Sequence, residues 1–210
     1  MLFKITFNLD GTGVYFNPNE PVHLDALLTW VLAPRQGQRD LRRDQIPGLV
    51  KLPLMRNHIG GEWVWAASAL MPEGPAEESI QYWRKRFRQF RAELTEGSPN
   101  LKNATYRDWQ MPLPLLLTNT LVAYANGNRK ECKKLLRDVK YLGKKRAYGY
   151  GKIISMDFDQ VAYDYTMVKD GLATRWLPSA EGCRLVRCRP PYWHPHERKN
   201  SCDVGCSFGR

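Results

Sequence analysis

The stretch VKYLGKKRAYGYGKIISMDF, residues 139–158, concentrates residue types that can bind a phosphodiester chain. Cations neutralise phosphates, glycines let backbone amides approach a ligand closely, and tyrosine rings offer flat faces on which bases stack. These chemistries together suit an unpaired nucleic-acid strand. The residues that supply them are Gly143, Lys144, Lys145, Arg146, Tyr148, Gly149, Tyr150, Gly151 and Lys152.

Two other glycine-rich motifs do not fit this stretch. It contains no GxxxxGK[ST] pattern and so is not a Walker loop. It also lacks the GxGxxG fingerprint, which opens a helix after a strand, whereas this loop follows a predicted helix and leads into a predicted strand. A glycine-tolerant connection whose tyrosines pack at its edge is the alternative interpretation.

The net charge favours a polyanionic partner. Lysine and arginine number 32 against 21 acidic residues, which gives a net charge of +11. Nucleic acid is the first expectation and an anionic membrane the second. No apolar run approaches the ~20 residues of a membrane-spanning helix, and the N-terminus lacks the apolar core of a signal peptide. We therefore expect a cytoplasmic protein with reduced thiols and no membrane partner.

The elements on either side of the loop predict how it is positioned. The segment RKECKKLLRDVKYL is predicted to be a helix, because Cys132, Leu135, Leu136 and Val139 recur at helical spacing. The segment KIISMDFDQVAYDY alternates apolar and polar residues as a strand does. The loop is therefore expected to connect a helix with a basic outer face to a strand.

The first half of the chain has a similar order. LFKITFNL alternates as a strand, and HLDALLTWVLA follows with helical spacing until Pro34. Two strands are then expected in LVKLPLM and EWVWAASAL, around a hairpin-like Gly60-Gly61, and another in MPLPLLLTNTLVAYANGN. This order predicts an α+β protein with a ferredoxin-like (RRM-like) βαββαβ fold.

An Arg-rich segment, QYWRKRFRQFRAEL at residues 81–94, lies within an additional basic insertion at about residues 75–110. A helix here would place Trp83 and the two phenylalanines on one face. The cations, among them Arg84 and Arg88, would then cover the other face and could track phosphates. A merely solvated basic face is an equally open alternative.

We divide the chain into a ferredoxin-like domain, residues 1–180, and a Cys- and Pro-rich tail, residues 181–210. Four thiols and two histidines in the tail offer zinc-binding chemistry. Their CxxxxC and CxxxC spacings are wider than the CxxC pairs typical of zinc sites, so scattered thiols in a frayed tail are favoured. No metal or other cofactor is predicted. The six residues are Cys183, Cys188, Cys202, Cys206, His194 and His196.

The segment CRPPYWHPH is unusual within that tail. Pro190-Pro191 stiffens the backbone, so Arg189 and Trp193 would project in fixed directions. Rigid aromatic residues beside arginine suit base stacking or docking on a protein neighbour. Packing of Trp193 in the core is an equally open interpretation.

The helix with a basic outer face, the GKKRAYGYGKI loop and the strand after it resemble the signature of the RAMP proteins of CRISPR systems. HLDALL near the start and RPPYWHP near the end are similar, more specifically, to the Cas-five-type subunit of type IV CRISPR effectors. These elements lie at both ends and in the centre, so the resemblance covers most of the chain.

The resemblance implies a non-catalytic subunit that caps the five-prime handle of the CRISPR RNA (crRNA). Its implied protein neighbours are the backbone filament subunit and the large subunit of the complex, and contact with target DNA is left open. The loop residues named above would hold the crRNA. Arg84, Arg88, Arg189 and Trp193 complete the predicted RNA-binding set, which includes no catalytic residue.

The alternative function is that of a metal-independent endoribonuclease that processes CRISPR RNA on the same fold. Such cleavage needs a general base near the 2′-hydroxyl. His23, at the predicted start of the first helix, is the best-placed candidate, and His58 is the second. A competing interpretation makes His23 a locally hydrogen-bonded residue and Asp25 a partner of the positive helix end. We therefore expect a binding subunit rather than an enzyme.

Overall fold

The computed structural model describes residues 1–15, 20–36, 42, 44–86 and 108–208. Its α-helices are α1 (Leu24–Leu32) and α2 (Arg129–Leu136). Among these residues, no helix has both the length and the apolar character needed to cross a membrane. The strands are β1 (Leu2–Leu9), β2 (Val14–Tyr15), β3 (Arg56–Ile59), β4 (Glu62–Trp65), β5 (Met71–Pro72), β6 (Ala76–Lys85), β7 (Trp109–Thr118), β8 (Thr120–Asn126), β9 (Ile153–Gln160), β10 (Val168–Lys169), β11 (Leu172–Ala173), β12 (Leu177–Pro178), β13 (Arg184–Val186) and β14 (Lys199–Cys202).

The main sheet is built around β1. Its strand order is β5-β8-β1-β9, and every pair of neighbours is antiparallel. Side chains alternate between the two faces of a strand, so Phe3, Ile5 and Phe7 share one face, and all three are fully buried. The predicted strand LFKITFNL is confirmed, and the one predicted from KIISMDFDQVAYDY is confirmed over Ile153–Gln160.

The predicted helix HLDALLTWVLA is confirmed as α1, and the one predicted from RKECKKLLRDVKYL is confirmed only over Arg129–Leu136, so Val139 lies beyond its end. Both helices pack on the buried face of the main sheet. Leu24 and Leu28 of α1 are fully buried, as is Leu136 of α2. The first turn of α2 is capped by Asn128, whose side-chain oxygen accepts a hydrogen bond from the Glu131 amide at 3.2 Å. Two helices on a largely antiparallel sheet confirm the α+β class.

The Arg-rich segment is a strand as far as the structure describes it, so the predicted helix is wrong at residues 81–85. β6 pairs with β7 along its whole length, from Ala76 opposite Thr118 to Lys85 opposite Trp109. Aromatic residues such as Trp83 favour a strand, and the cross-strand pairing outweighs the helical spacing. Residues 87–94, including Arg88, lie outside the described residues.

The segment LVKLPLM is not a strand, which corrects a second expectation. Val50, Leu52 and Leu54 alternate as buried residues, and this alternation mimics a strand. Only an isolated bridge joins Leu54 to Gly127. Pro53 precedes that bridge, and its missing backbone N–H removes one donor from any longer ladder.

The next hairpin is confirmed at its turn and shifted in its strands. β3 and β4 pair on either side of Gly60-Gly61, whose positive φ angles of 54° and 78° suit a tight hairpin turn. β3 comes from RNHI, which the sequence assigned to the connection, and β4 takes only EWVW. The single strand predicted in MPLPLLLTNTLVAYANGN is two strands, β7 and β8, which meet at Asn119.

The C-terminal segment is folded, so the expectation of a frayed tail is wrong for residues 181–208. β12, β14 and β13 form a three-stranded sheet, and Ser201 is fully buried within it. Cys188 packs with Val64 and Trp176 in a cluster that includes residues from both predicted domains. The division at residue 180 stays a prediction.

Candidate nucleic-acid interface

Backbone hydrogen bonds fix the glycine-rich loop at both ends. The Lys144 amide donates to the Tyr15 carbonyl at 2.7 Å, and the Gly151 amide donates to the Gly13 carbonyl at 2.8 Å. The Leu142 amide donates to the Gly151 carbonyl at 2.8 Å, which closes the base of the loop. Residues 143–152 therefore project from the connection between β1 and β2 as a defined structure.

The three glycines of the loop have different reasons to be glycine. A Cβ atom at Gly151 would lie 2.1 Å from the Leu142 carbonyl oxygen, and one at Gly143 would lie 2.5 Å from the Tyr15 carbonyl oxygen. Close approach of the chain to itself requires glycine at these two positions. Gly149, at φ +91°, has no atom within 4 Å of such a Cβ, so the loop surface is open beside it.

The two tyrosines of the loop lie in different environments. The Tyr150 ring packs edge-on against Tyr15 with centroids 4.5 Å apart, and its hydroxyl lies 3.4 Å from Gln81 Oε1. Tyr148 is 66% exposed, and its ring contacts Trp83 edge-on at 4.5 Å and the Lys145 ammonium at 5.9 Å. The structure thus combines both interpretations of the loop, because Tyr150 is packed while Tyr148 has a free ring surface.

The cations of the loop also divide into two kinds. Lys144, Arg146 and Lys152 are exposed. Lys145 has a left-handed backbone with φ 58°, and its Nζ lies 3.8 Å from the centroid of the Trp83 ring. Three cations therefore face solvent, while the fourth holds the hairpin of β6 and β7 against the loop through a cation–π contact.

Trp30 on α1 belongs to the same surface and was not predicted. It is 55% exposed, and the Arg146 guanidinium lies 5.4 Å from its ring. A cleft of about 270 Å³ lies between Trp30 and the loop residues Gly143 and Lys144. The sequence signal for Trp30 is a large aromatic residue outside the apolar stripe of an amphipathic helix.

Four predicted residues lie away from the loop or outside the described residues. Arg84 follows Trp83 on β6 and so lies on the opposite face of that strand. Arg88 is not described. Arg189 donates to Glu197 at 2.8 Å and stacks 4.4 Å above the Trp63 ring, so its charge is already balanced within the C-terminal segment. Trp193, in the same segment, is 50% exposed.

The edge strand of the main sheet, β9, carries exposed acidic residues. Asp157 and Asp159 on β9 are exposed and lie opposite Thr6 and Lys4 of β1. Asp157 accepts a hydrogen bond from Asn8 at 2.8 Å and remains on the surface. Carboxylates repel phosphates, so this part of the sheet does not suit a phosphodiester chain.

Comparison with known families identifies the family of the chain. The family model described as CRISPR type IV associated protein Csf3 matches residues 2–105 and 100–203. The chain belongs to the Csf3 family. This confirms the resemblance to a type IV CRISPR subunit, and membership implies an effector complex with further subunits. No curated protein matches the chain.

His23, the candidate general base, is buried in this Csf3-family chain. It is 1% exposed and packs against the rings of Trp176, at 5.0 Å, and Tyr192, at 4.4 Å. Neither ring nitrogen has a hydrogen-bond partner among the described residues, so the expected local hydrogen bond is wrong. Burial, reinforced by the charge of Arg175, holds the pKa of His23 well below its usual range. A substrate hydroxyl cannot reach this ring.

Asp25 lies in the first turn of α1, as the helix-end interpretation expected, and it also belongs to a buried cluster around Arg175 that was not predicted. The guanidinium Nη2 lies 3.3 Å from Asp25 Oδ2 and also donates to the Cys188 carbonyl at 2.7 Å. Nη1 donates to the Ala67 carbonyl at 2.8 Å. The Tyr192 hydroxyl donates to both carboxylate oxygens of Asp25, at 2.9 and 3.0 Å. Burial raises the pKa of Asp25, while the charge of Arg175 opposes that rise.

The thiols do not form a metal centre in the part of the chain that is described. No group of three or more potential metal-binding side chains occurs there. Cys188 Sγ lies 3.0 Å from Ser201 Oγ, whereas Cys183 and Cys206 are exposed. Cys132 is on the buried face of α2, and burial raises its pKa to about 12. That thiol is accordingly a packing residue.

Proposed function

We propose that this chain is a structural, crRNA-binding subunit of a type IV CRISPR effector complex and caps the five-prime handle of the crRNA with its glycine-rich loop. The observation that carries the proposal is the open surface at Gly149, which Lys144, Arg146, Lys152 and the exposed Tyr148 ring surround. Phosphates would contact the cations, and an unpaired base would stack on Tyr148.

We further propose that the main sheet with α1 and α2 is a ferredoxin-like RAMP domain. The supporting observation is the order β5-β8-β1-β9 with antiparallel neighbours. α1 lies between β1 and β5 along the chain, and α2 lies between β8 and β9. Removing the intervening hairpins leaves the order strand, helix, two strands, helix, strand, which is the βαββαβ pattern.

The remaining parts of the predicted assembly belong to the same proposal. The crRNA and the neighbouring backbone and large subunits are the proposed partners, and direct contact with target DNA is left to experiment. The basic insertion continues from β6, where the described part already carries Tyr82 and Arg84 on its surface. The proposed contacts at the loop do not include the other four predicted RNA-binding residues, and these stay predictions. They are Arg84, Arg88, Arg189 and Trp193.

Removal of positive charge tests whether the loop binds RNA. We expect simultaneous Lys144→Ala, Arg146→Ala and Lys152→Ala changes, which remove the three exposed cations of the loop, to weaken binding of a single-stranded repeat RNA while thermal unfolding stays cooperative. Each lost phosphate contact lowers the slope of log affinity against log salt by about 0.7 for single strands, so three contacts would lower it by about 2. Fluorescence anisotropy over a salt series measures this slope.

The matched control removes the same charge from another basic surface. Lys130, Lys133 and Lys134 are exposed on α2, and their replacement by alanine also lowers the net charge by three. We expect a smaller change in slope than for the loop variant. Equal changes in both variants would mean diffuse attraction to a basic protein and would overturn the loop assignment.

Incubation of repeat RNA with the purified chain in a chelator separates the binding subunit from the ribonuclease. The buried position of His23 supports an uncut RNA as the expected result. Specific cleavage that disappears in His23→Ala would contradict the proposal and establish an enzyme.

A further inference from the structure

A groove of about 920 Å³ lies between the outer face of α1 and the C-terminal segment. Four aromatic side chains line it, with several small or aliphatic residues between them. Pockets of this size hold a ligand of many atoms, larger than one nucleobase. The aromatic residues are Trp30, Trp176, Tyr192 and Trp193.

Polar atoms in the groove walls lack partners. Thr29 Oγ1 and Trp176 Nε1 are both buried, and neither has a hydrogen-bond partner among the described residues. Native proteins rarely leave buried donors and acceptors unpaired, so each of these two groups indicates a missing hydrogen-bond partner. These two unpaired groups and the half-exposed rings of Trp30 and Trp193 indicate that the groove lacks a binding partner.

The charge around the groove differs from that of the loop. The charged residues that line it are Glu20, Arg35 and Asp138. Arg35 Nη2 pairs with Asp138 Oδ2 at 2.7 Å, while Glu20 has no ion pair in the part of the chain that is described. In a chain of net charge +11, this rim has an excess of one negative charge. It therefore disfavours phosphates and favours a cation.

We propose that this groove docks a short apolar segment of a neighbouring protein subunit, with proline or aromatic side chains in the groove and a lysine or arginine facing Glu20. Tryptophan and tyrosine supply most of the binding energy in many protein interfaces, and aromatic grooves bind proline-rich segments. The groove shares Trp30 and Glu20 with the cleft beside the loop, but no residue of the loop itself lines it. The inference therefore extends the proposed function and does not depend on RNA binding by the loop.

The groove wall is held in place before any partner binds. Tyr192 bonds through its hydroxyl to Asp25, which is itself held by Arg175. Pro190 and Pro191 limit the backbone freedom of the same wall. A wall ordered in advance loses less conformational entropy on binding, which favours recognition of a short segment.

Photo-cross-linking in the assembled complex identifies the occupant. The chain is produced with the other subunits of its effector complex and with crRNA, and p-benzoyl-phenylalanine replaces Trp193. Irradiation should join this position to another subunit, and mass spectrometry should place the link in an apolar segment that contains lysine or arginine. A link to RNA, to this chain itself or to an acidic segment would overturn the proposal, as would the absence of any link.

The same probe in place of Tyr148 reports on the loop independently, and it should link to RNA. If the loop position fails while the groove position links to a subunit, the proposed function falls and the docking groove stands. If the loop position links to RNA while the groove position does not link to a subunit, only the groove is lost.

Charge reversal at the rim gives a second and opposite-signed test. Glu20 is exposed, so Glu20→Lys should fold normally. For a protein segment that carries a cation, the variant should retain the linked subunit at least three-fold less well during size-exclusion chromatography at low salt, where exposed charges are least screened. For RNA, the added cation would strengthen binding. Stronger RNA binding with unchanged subunit retention would overturn the proposal.

Discussion

The glycine-rich loop and the α1 groove place their cations in opposite ways. In the loop, backbone hydrogen bonds and close-packed glycines fix the chain, and Lys144 and Arg146 face solvent. Beside the groove, Arg175 is fully buried and fixes the chain itself. Exposed cations on a rigid backbone are available to a ligand, whereas a buried cation is already used by the fold. Charge alone therefore does not identify the binding residues of this basic protein.

Removing the buried cation should have the largest effect. Arg175→Met keeps a long side chain but leaves the Asp25 carboxylate buried without its cation, so we expect the free energy of unfolding to fall by about 3–5 kcal/mol. Urea denaturation measures this loss. RNA affinity of the folded fraction should remain, because the loop does not contact Arg175.

The control for that change is a surface arginine. Arg35 pairs with Asp138 at 2.7 Å, but both side chains are more than half exposed. Exposed pairs contribute about 0–1 kcal/mol, so Arg35→Met should lower the free energy of unfolding by no more than that. Similar losses in the two variants would remove the distinction between buried and exposed cations.

Two glycine variants test whether the loop is fixed by its backbone. At Gly151, alanine combines a positive φ with a contact of 2.1 Å to the Leu142 carbonyl oxygen. Gly151→Ala should therefore lower the free energy of unfolding by about 2–4 kcal/mol, the sum of left-handed strain and displacement of the backbone. At Gly149 the surrounding space is open, so Gly149→Ala should lower it by only about 1 kcal/mol.

Thermal unfolding and RNA binding separate the two glycine variants. Gly151→Ala should also loosen the loop and weaken RNA binding more than Gly149→Ala does. A Gly149→Ala variant that is the less stable of the two would show that the short contact at Gly151 does not govern the loop.

Replacing His23 should have the smallest effect on the free energy of unfolding. The buried environment of the ring determines the direction in which this free energy changes with pH. The pKa of His23 is lowered in the folded chain, so below about pH 6.5 the unfolded chain binds the extra proton. Protonation of His23 therefore does not lower the free energy of unfolding above that pH. Below it, the free energy of unfolding falls as the pH drops, by up to about 1.4 kcal/mol per pH unit. In His23→Phe this part of the slope should disappear.

Urea denaturation at about pH 7 and pH 5 measures the difference between the parent chain and His23→Phe, which cancels the titration of the carboxylates. The matched control is His58→Phe, at an exposed position on β3. An equal change of slope in both variants would contradict a specific role for the buried ring.

The sequence predicted the features whose determinants lie close together in the chain. The loop chemistry lies within residues 143–152, and β1, α1, α2 and β9 each show their own period. β6 was missed because Trp83 and its neighbours fit both a helix and a strand, and its partner β7 follows more than twenty residues later in the chain. Pairing between distant segments decided the outcome.

Only some residues of the candidate site were predicted, for the same reason. Tyr148 and Lys144 were identified from neighbouring residues, whereas the contribution of Trp30 depends on how α1 packs beside the loop. The ion pair of Asp25 with Arg175 joins residues 150 positions apart, and no spacing rule indicates it. Arginine is a residue type that often contacts nucleic acid, but the Arg189 side chain already contacts Glu197 and Trp63.

The separation between Asp25 and its partners also sets an order of events during protein synthesis. The ribosome completes α1 and all four strands of the main sheet before it reaches residue 175, and Tyr192 comes 167 residues after Asp25. Until then the nascent chain keeps this carboxylate in water and the adjoining helix face uncovered. A translation pause before residue 175 would therefore hold a chain whose Asp25 has neither its cation nor its tyrosine partner.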